Sequence, residues 1–469
     1  MASKVRDIPL TIALIPVLFL IIFLSLALIV FKQQPHIPLI AASAVAALIA
    51  VAFKHRWQEI HEGMVFGISL AMGAILILMI VGCLIGTWIE GGIVPSMIYY
   101  GLKVLSPKIF LVATLVICSI VSLGTGSSWS TAGTIGVALI GVGKGLGIPL
   151  PMVAGAIISG SYFGDKMSPL SDTTNLAPAV AGTDIFSHVR HMVYTTTPSY
   201  ILAMILYGFL GTRFSGRSLE ARNIELILST LKKSFFIHPV LLIPPILVIV
   251  MVVVKIPPLP ALFGGTLLGG VFAMSFQAKS LRDIIAVAHS GYISRTGVEV
   301  VDNLLTRGGL SSMMPTVALI ICALSFGGVM ERTGMLGTLA KSLLKKVRRV
   351  GSLVAVTIFS CIGMNAVASD QYLAIVIPGR MYRKAFASFR LHPKNLSRCL
   401  EDSGTLTSPL IPWNSCGAFM HATLGVNPLV YLPFAFLNLA NPVISLIYGY
   451  TGITMEKLGD SKDSGESSS

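Results

Sequence analysis

The chain has 469 residues, of which 54% are hydrophobic and only 12% are charged, and its mean hydropathy is +0.82. This composition excludes an ordinary soluble domain, in which about 25% of the residues are charged. The formal net charge is +14, but basic residues collect in the cytoplasmic loops of membrane proteins, so no nucleic-acid partner is expected. The composition predicts an all-α polytopic membrane protein whose surroundings are the lipid bilayer.

Apolar segments that approach the length needed to cross a bilayer, about 20 residues, recur along the whole chain. The first of them follows Lys4 and Arg6 and has no small-residue cleavage site, so we interpret it as a retained helix and not as a signal peptide. A multi-pass protein is therefore predicted. The segments are 8–31, 37–53, 64–88, 193–210, 240–254, 259–276, 313–330 and 429–450.

Two parts of the chain resemble each other at a spacing of about 240 residues. Ser168-Pro169-Leu170 matches Ser408-Pro409-Leu410, and 86–93 resembles 327–334. Each match is weak alone, but the nearly constant spacing indicates an internal repeat. The predicted division is a first repeat at 1–212, a linker at 213–236, a second repeat at 237–456 and a disordered tail at 457–469.

Basic residues are distributed unequally between the equivalent loops of the two repeats. Lys103, Lys108 and Lys144 lie in the loops of the first half, against eleven Lys and Arg residues between 341 and 398 in the second half. Because basic loops stay on the cytoplasmic side, these loops should face opposite sides, as in the inverted repeats of secondary transporters. The linker conflicts with this prediction, because it should lie outside and yet carries five basic residues. We expect a bacterial cytoplasmic membrane, with both termini inside.

Polar, glycine-rich stretches interrupt the apolar pattern twice in each half, at 122–134, 164–175, 365–371 and 401–415. The apolar pieces beside the first-half stretches have about 8 to 12 residues, too few to cross about 30 Å of hydrocarbon. Re-entrant hairpins or unwound helices are therefore predicted, because backbone groups cannot face lipid unpaired. Such breaks suit a cation, since carbonyl and hydroxyl oxygens replace its hydration shell and a carboxylate balances its charge.

Ionisable residues in these stretches are the predicted ligands, because a charge at membrane depth costs several kcal/mol and is functional by default. The main prediction is a Na+ site at Asp172, Thr173 and Asn175. Ser171 lies beside them, although a single Ser or Thr more often bonds to its own helix than to an ion. Further candidates for cation or proton binding are Asp370, Asn365, Ser127, Asp165, Asp402 and Asn414.

At these stretches the sequence resembles the NhaC-type Na+/H+ antiporters of the ion-transporter superfamily. The resemblance covers nearly the whole chain and is most specific at 124–143, 159–184 and 365–382. It implies two inverted repeats, each with a re-entrant hairpin and a broken helix, that form a transport domain beside a scaffold domain. It also implies a homodimer with an elevator motion, and Na+ sites near 127–131 with 171–175 and near 365–371 with 405–414. Pro412-Trp413 replaces the Thr173-Thr174 pair, so the two repeats are not expected to bind alike.

The predicted activity is exchange of Na+ for H+, with Na+ as the transported ion, no cofactor and no enzymatic reaction. An ionised carboxylate would hold Na+, and a proton would neutralise it while the empty carrier returns. This mechanism needs a carboxyl pKa near the cytoplasmic pH, which burial can supply. Asp172 is the first candidate for this carboxyl, and Asp370 is the second.

Two alternatives remain open at this point. Some members of the family resemble Na+-linked exchangers of small carboxylates, such as malate for lactate. Lys166 or Arg380 would supply the anion site for such a substrate, although Lys166 is also interpreted as a structural partner of Asp165. An intramembrane hydrolase is a remote alternative, because the sequence has no GxSxG or HExxH signature.

Overall fold

The computed structural model describes residues 8–214, 218–344 and 347–459. These parts are built from α-helices with short π- and 3-10-helical turns, and two isolated antiparallel bridges join Tyr292 to Arg307 and Leu391 to Lys457. Lys457 is thus tied to the helical body, although the disordered tail is predicted to begin there. Residues 457–459 of the predicted tail are described, and residues 460–469 lie outside the described residues.

The helices of the first half lead from two apolar hairpin helices to a helix in the predicted linker. They are α1 (Leu10–Ser25), α2 (His36–Ala52), α3 (Trp57–Leu70), α4 (Met72–Glu90), α5 (Ile93–Val104), α6 (Pro107–Thr125), α7 (Ser128–Thr131), α8 (Val137–Gly145), α9 (Leu150–Met167), α10 (Asp172–Ala181), α11 (Ile185–Thr212) and α12 (Ser218–Ser234). A π-helical turn, Ala132–Gly136, joins α7 to α8 without a break.

The helices of the second half begin after a short 3-10 turn at Pro239–Leu242. They are α13 (Ile243–Val253), α14 (Pro258–Gln277), α15 (Leu281–Ser290), α16 (Glu299–Leu305), α17 (Leu310–Arg332), α18 (Met335–Leu344), α19 (Val350–Val367), α20 (Gln371–Ser388), α21 (Pro393–Leu400), α22 (Ser415–Leu424), α23 (Pro428–Tyr431) and α24 (Phe436–Thr451). A π-helical turn, Glu401–Thr405, continues α21.

Within the described residues, six helices (α4, α6, α11, α14, α17 and α19) are long and apolar enough to cross a bilayer, or up to eight spans if two bent helix pairs each count as one. Large apolar side chains such as Ile22 and Phe209 are 60% exposed on outer helix faces, which lipid would cover. One prediction is wrong, because the apolar piece before residue 126 is not too short to span. Residues Pro107–Thr125 form one continuous helix of 19 residues. The chain is a multi-pass membrane protein.

The two halves share one order of helices and breaks. In each half a long helix turns at a glycine into a shorter one, α4 to α5 and α17 to α18, and two helix–break–helix units follow. The residues that cap the helices after these breaks are Ser127 and Ser171 in the first half and Asp370 and Asn414 in the second. Each cap of the first half has its counterpart 243 positions later, close to the spacing of about 240 seen in the sequence matches.

Helices α6 and α9 pack with their backbones in close contact. A methyl group added at Gly160 would meet the Leu115 carbonyl, and one at Gly164 would overlap the backbone of Ser122 and Leu123. Only glycine allows this approach, in which no side chain separates the helices. The contact fixes the end of α9, where Asp165 lies, against the break that follows α6.

Candidate ion-binding site

The breaks of the first half are shorter than the polar stretches that predict them. α6 ends at Thr125, and the next residue, Gly126, has a φ of 66° in the left-handed region. Ser127 caps the next helix by accepting the Ser130 N–H at 3.2 Å. α10 already begins at Asp172. Residues 172–175 therefore form the first turn of a helix, which corrects the prediction that they belong to an unwound segment.

Asp165 has the most complete oxygen surroundings of the predicted ligands. Its carboxylate accepts the hydroxyl of Ser128 at 2.6 Å and that of Ser171 at 2.7 Å. The Ser171 hydroxyl lies 3.1 Å from that of Thr173. Asp165 is only 8% exposed. Hydroxyl groups rotate and can offer lone pairs, so these four residues, here called the Asp165 cluster, supply carboxylate and hydroxyl oxygens of the kind that replace the hydration shell of Na+.

A cavity of about 470 Å³ lies where the breaks of the two halves meet. Three carboxylates line it, those of Asp165, Asp172 and Asp370, together with the side chain of Lys255. Tyr372 also lines the cavity and interacts electrostatically with all three aspartates. The junction of α3 with α4 and the loop between α13 and α14 form the opposite wall. The cavity is therefore acidic, and both halves of the chain contribute to it.

Of the second-half candidates, only Asp370 reaches this cavity. It caps α20 by accepting the Leu373 N–H at 3.0 Å, and its other oxygen lies 3.5 Å from the Ser415 hydroxyl. Asn414 donates to the side-chain oxygen of Asn365 at 3.1 Å, and Asn365 donates to a backbone carbonyl of the π-helical turn. The two asparagines thus tie the breaks of the second half together and do not line the cavity.

Two further predicted residues lie away from the cavity. The side-chain amide of Asn175 donates to the carbonyls of Pro169 and Ser171, at 2.9 and 2.7 Å, so it closes the break before α10. Arg380 is exposed on α20. Neither side chain lines the cavity. The structure therefore does not bring Asn175 to the predicted Na+ site, nor Arg380 to a central anion site.

Lys166 does not pair with Asp165, although the sequence predicts this pair. Its ammonium group pairs with Asp402 and donates to Asn441 at 2.8 Å. Asp402 also accepts the hydroxyl of Thr195 at 2.9 Å. Adjacent residues of a helix point in different directions, which explains why Asp165 faces the cavity while Lys166 faces the interior. Lys166 and Asp402 thus form a buried ion pair, and neither side chain lines the cavity.

Sequence reasoning missed several buried polar residues around this ion pair. Arg398 and Glu401 are 0% exposed. His188 and His191 are buried as well, and they bond to polar residues of α21, Ser397 at 2.5 Å and Asn395 at 3.2 Å. The sequence offers one signal, the charged run that precedes the polar stretch 401–415. Arg398 resembles one more basic loop residue in the sequence, because α21 is too polar to be predicted as a buried helix.

Comparison with known proteins supports a single family. Residues 160–453 match the model of the Na+/H+ antiporter family. The chain is 40% identical to the Na+/H+ antiporter NhaC of Alkalihalophilus pseudofirmus, over 97% of this chain and 98% of that protein. It is 40% identical to the malate-2H+/Na+-lactate antiporter of Bacillus subtilis, over 94% of each chain. It is also 36% identical to the arginine/ornithine antiporter ArcD of Halobacterium salinarum, over 94% of this chain and 92% of that protein. The chain therefore belongs to the Na+/H+ antiporter family, which is a family of transporters and not of enzymes.

Proposed function

We propose that this chain is a secondary transporter that exchanges Na+ for H+ and that the Asp165 cluster is its Na+ site. The observation that carries the proposal is the buried Asp165 carboxylate. It accepts hydrogen bonds from hydroxyl groups at two helix breaks, and it borders the acidic cavity. A buried carboxylate at such a break is the group that a dehydrated cation requires. The relatives named as Na+/H+ antiporters support the same cargo.

Exchange follows from the charge of the site. In its ionised form Asp165 holds Na+ together with the hydroxyl oxygens of its cluster. When Na+ leaves, a proton taken up by a buried carboxyl group replaces the lost charge, so the carrier does not move an unpaired carboxylate through hydrocarbon. Asp172 and Asp370 border the same cavity and attract cations into it. Asp370, with its hydrogen bonds to α20, is the second candidate for a cation ligand.

The architecture that we propose has two inverted repeats, 1–212 and 237–456, joined by the linker 213–236 that contains α12. The shared order of helices and the excess of basic residues in one half support it. The helices around the breaks would move against a scaffold of the remaining helices by an elevator motion, in a homodimer. We place the protein in a bacterial cytoplasmic membrane with both termini inside.

A second candidate function is Na+- and H+-coupled exchange of small carboxylates. Lys255 lines the cavity, and α10, α20 and α22 begin at its wall. Helix N-termini attract anions. A cavity of about 470 Å³ also has room for more than one ion. Lys255 would bind the carboxylate of the substrate, the role predicted from the sequence for Lys166 or Arg380. The relative named as a malate-2H+/Na+-lactate antiporter supports this cargo.

Proton movement in reconstituted vesicles tests both functions. Na+, Li+, K+, malate and lactate are added one at a time while a pH-sensitive dye reports the internal pH. Proton movement that needs only Na+ supports cation exchange. Proton movement that needs malate or lactate as well supports the second candidate. Absence of proton movement with every combination would contradict both.

A further inference from the structure

Glu401 is a buried carboxyl group that forms no ion pair with any of the described residues. It begins the π-helical turn Glu401–Thr405 and is 0% exposed. Among the described residues, neither of its oxygens has a partner at hydrogen-bond geometry. The Thr405 hydroxyl lies beside the carboxyl group and is the nearest donor. Burial of an ionised carboxylate without strong hydrogen bonds costs several kcal/mol. π-helical turns are frequent at functional sites.

Glu401 lies among the charged groups that border the Na+ site. It interacts electrostatically with Asp165 and Lys166 of α9 and with Asp402 of its own turn. Arg398, one turn before, has its guanidinium Nε 3.9 Å from an oxygen of Asp402. Lys166, Arg398, Asp402 and Glu401 are all 0% exposed. These four residues and Asp165 therefore form one buried charge cluster.

The other ionisable groups near this cluster do not alter its charge balance. His188 and His191 on α11 are buried and lie near the cations Lys166 and Arg398, so a positive charge on either imidazole is disfavoured. Among the described residues, the remaining groups on the helices packed against the turn are thiols (Cys361, Cys399), phenols (Tyr162, Tyr382, Tyr448, Tyr450), groups that line the cavity (Asp172, Asp370, Tyr372), a lysine paired with Glu456 (Lys394) and exposed cations (Arg380, Arg383, Lys384).

The balance of charge depends on whether Na+ is bound. Lys166 and Arg398 carry two positive charges, which the ionised Asp165 and Asp402 offset. An ionised Glu401 leaves one negative charge over, and Na+ in the Asp165 cluster cancels it. Without Na+ the buried charge cluster is neutral only if one carboxyl group holds a proton. Since net charge at membrane depth is costly, entry of one Na+ and release of one proton occur together.

We propose that Glu401 is the proton-binding group of the exchange, so that Na+ bound in the Asp165 cluster and the proton on Glu401 replace each other across the buried charge cluster. The proton rests on Glu401 in preference to Asp165, because two hydroxyl groups donate hydrogen bonds to Asp165. Among the described residues, Glu401 has only the Thr405 hydroxyl beside it, and that hydroxyl is not at hydrogen-bond geometry. The inference rests on the proposed Na+/H+ exchange. In the step itself, the Glu401 O–H bond breaks, the proton passes to water, and one Na+ binds.

Proton release on addition of Na+ to the purified protein in weakly buffered detergent tests this proposal. The wild type should release protons as Na+ binds. Glu401→Gln keeps the shape of the neutral form but has no proton to exchange, so the release should be lost and the Na+ concentration for half-saturation should rise. Glu331→Gln is the matched control, because Glu331 also has an unpartnered buried oxygen but lies on α17 outside the buried charge cluster. Its release should equal that of the wild type.

Each outcome decides a separate question. If the wild type releases no proton when Na+ is added, the proposed exchange itself fails. If the wild type and Glu401→Gln release protons equally, the exchange stands and the role of Glu401 is contradicted. If Glu401→Gln does not fold, Glu401→Asp takes its place. The infrared band of the protonated carboxyl that Na+ addition removes should then shift in frequency, and an unshifted band would overturn the proposal.

Discussion

Among single residues, Ser128 and Ser171 determine the surroundings of Asp165, because their hydroxyl groups donate hydrogen bonds to its carboxylate. They come from two different breaks, one at the start of α7 and one just before α10. A movement of one break relative to the other would therefore change the hydrogen bonds that the Asp165 carboxylate accepts. A Na+ ion bound there would hold the two breaks together, which links occupancy of the site to its shape.

Replacement of Ser128 by alanine should weaken Na+ binding. The hydroxyl lies 2.6 Å from the Asp165 carboxylate, and loss of one such oxygen next to a charged group should raise the Na+ concentration for half-maximal exchange by roughly tenfold, or about 1.4 kcal/mol. Ser43→Ala is the control, because Ser43 is also buried but its hydroxyl donates to the Leu39 carbonyl of its own helix. Equal behaviour of the two variants in vesicle transport would count against the Asp165 cluster.

The sequence identifies the right polar stretch but not the arrangement of its side chains. Asp165 and Asp172 are both predicted ligands, and both line the cavity. The sequence cannot show that Lys166 turns away to Asp402, 236 residues further along the chain. It also cannot show that the Asn175 amide is used to close a break. These outcomes depend on tertiary contacts, whereas the presence of ionisable groups at depth is visible in composition alone.

At the scale of helices, the contact between α6 and α9 positions the site. Gly164 directly precedes Asp165, and the backbone of α6 occupies the space that a side chain at Gly164 would need. The distance of α9 from α6 therefore sets where the Asp165 carboxylate lies.

Gly164→Ala should destabilise the fold by about 2 kcal/mol or more, because α6 cannot move away without disturbing its other contacts. Gly363→Ala is the control, since no atom of the described residues lies within 4 Å of a methyl group added there in α19. That change should be neutral or stabilising by about 0.5 to 1 kcal/mol. Thermal unfolding in detergent measures both variants. Similar unfolding temperatures for the two would show that the helices are not in close contact.

The breaks themselves are predictable from the sequence, but their lengths are not. Ser122, Gly124 and Thr125 resemble loop residues, yet they remain in α6. Ser122 stays helical because its hydroxyl donates to the Ser161 carbonyl of α9, a partner that a local pattern cannot reveal. The break is therefore confined to the residues around Gly126.

At the scale of the whole molecule, two halves with one order of helices meet at a shared cavity. The proposed inversion of the second half has a direct consequence for topology. Lys103, in the last turn of α5, and Lys341, in the last turn of α18, occupy comparable places in the two halves and are both exposed. Inverted repeats put them on opposite sides of the membrane.

Cysteine labelling tests this topology. Lys103→Cys and Lys341→Cys are made separately in a variant that lacks the six native cysteines. An impermeant maleimide should label position 341 from the cytoplasmic side, because basic residues are abundant there. It should label position 103 from the opposite side. Labelling of both positions from one side would contradict the inverted arrangement.

In the proposed mechanism, Na+ and H+ exchange through the charge of Asp165. Na+-driven proton movement in vesicles that contain Asp165→Asn tests this role, with Asp172→Asn as the matched carboxylate on the same cavity and thermal unfolding as a check that both variants fold. We expect Asp165→Asn to show no Na+-driven proton movement at any Na+ concentration, and Asp172→Asn to retain exchange at higher Na+. Normal exchange by folded Asp165→Asn would contradict the claim.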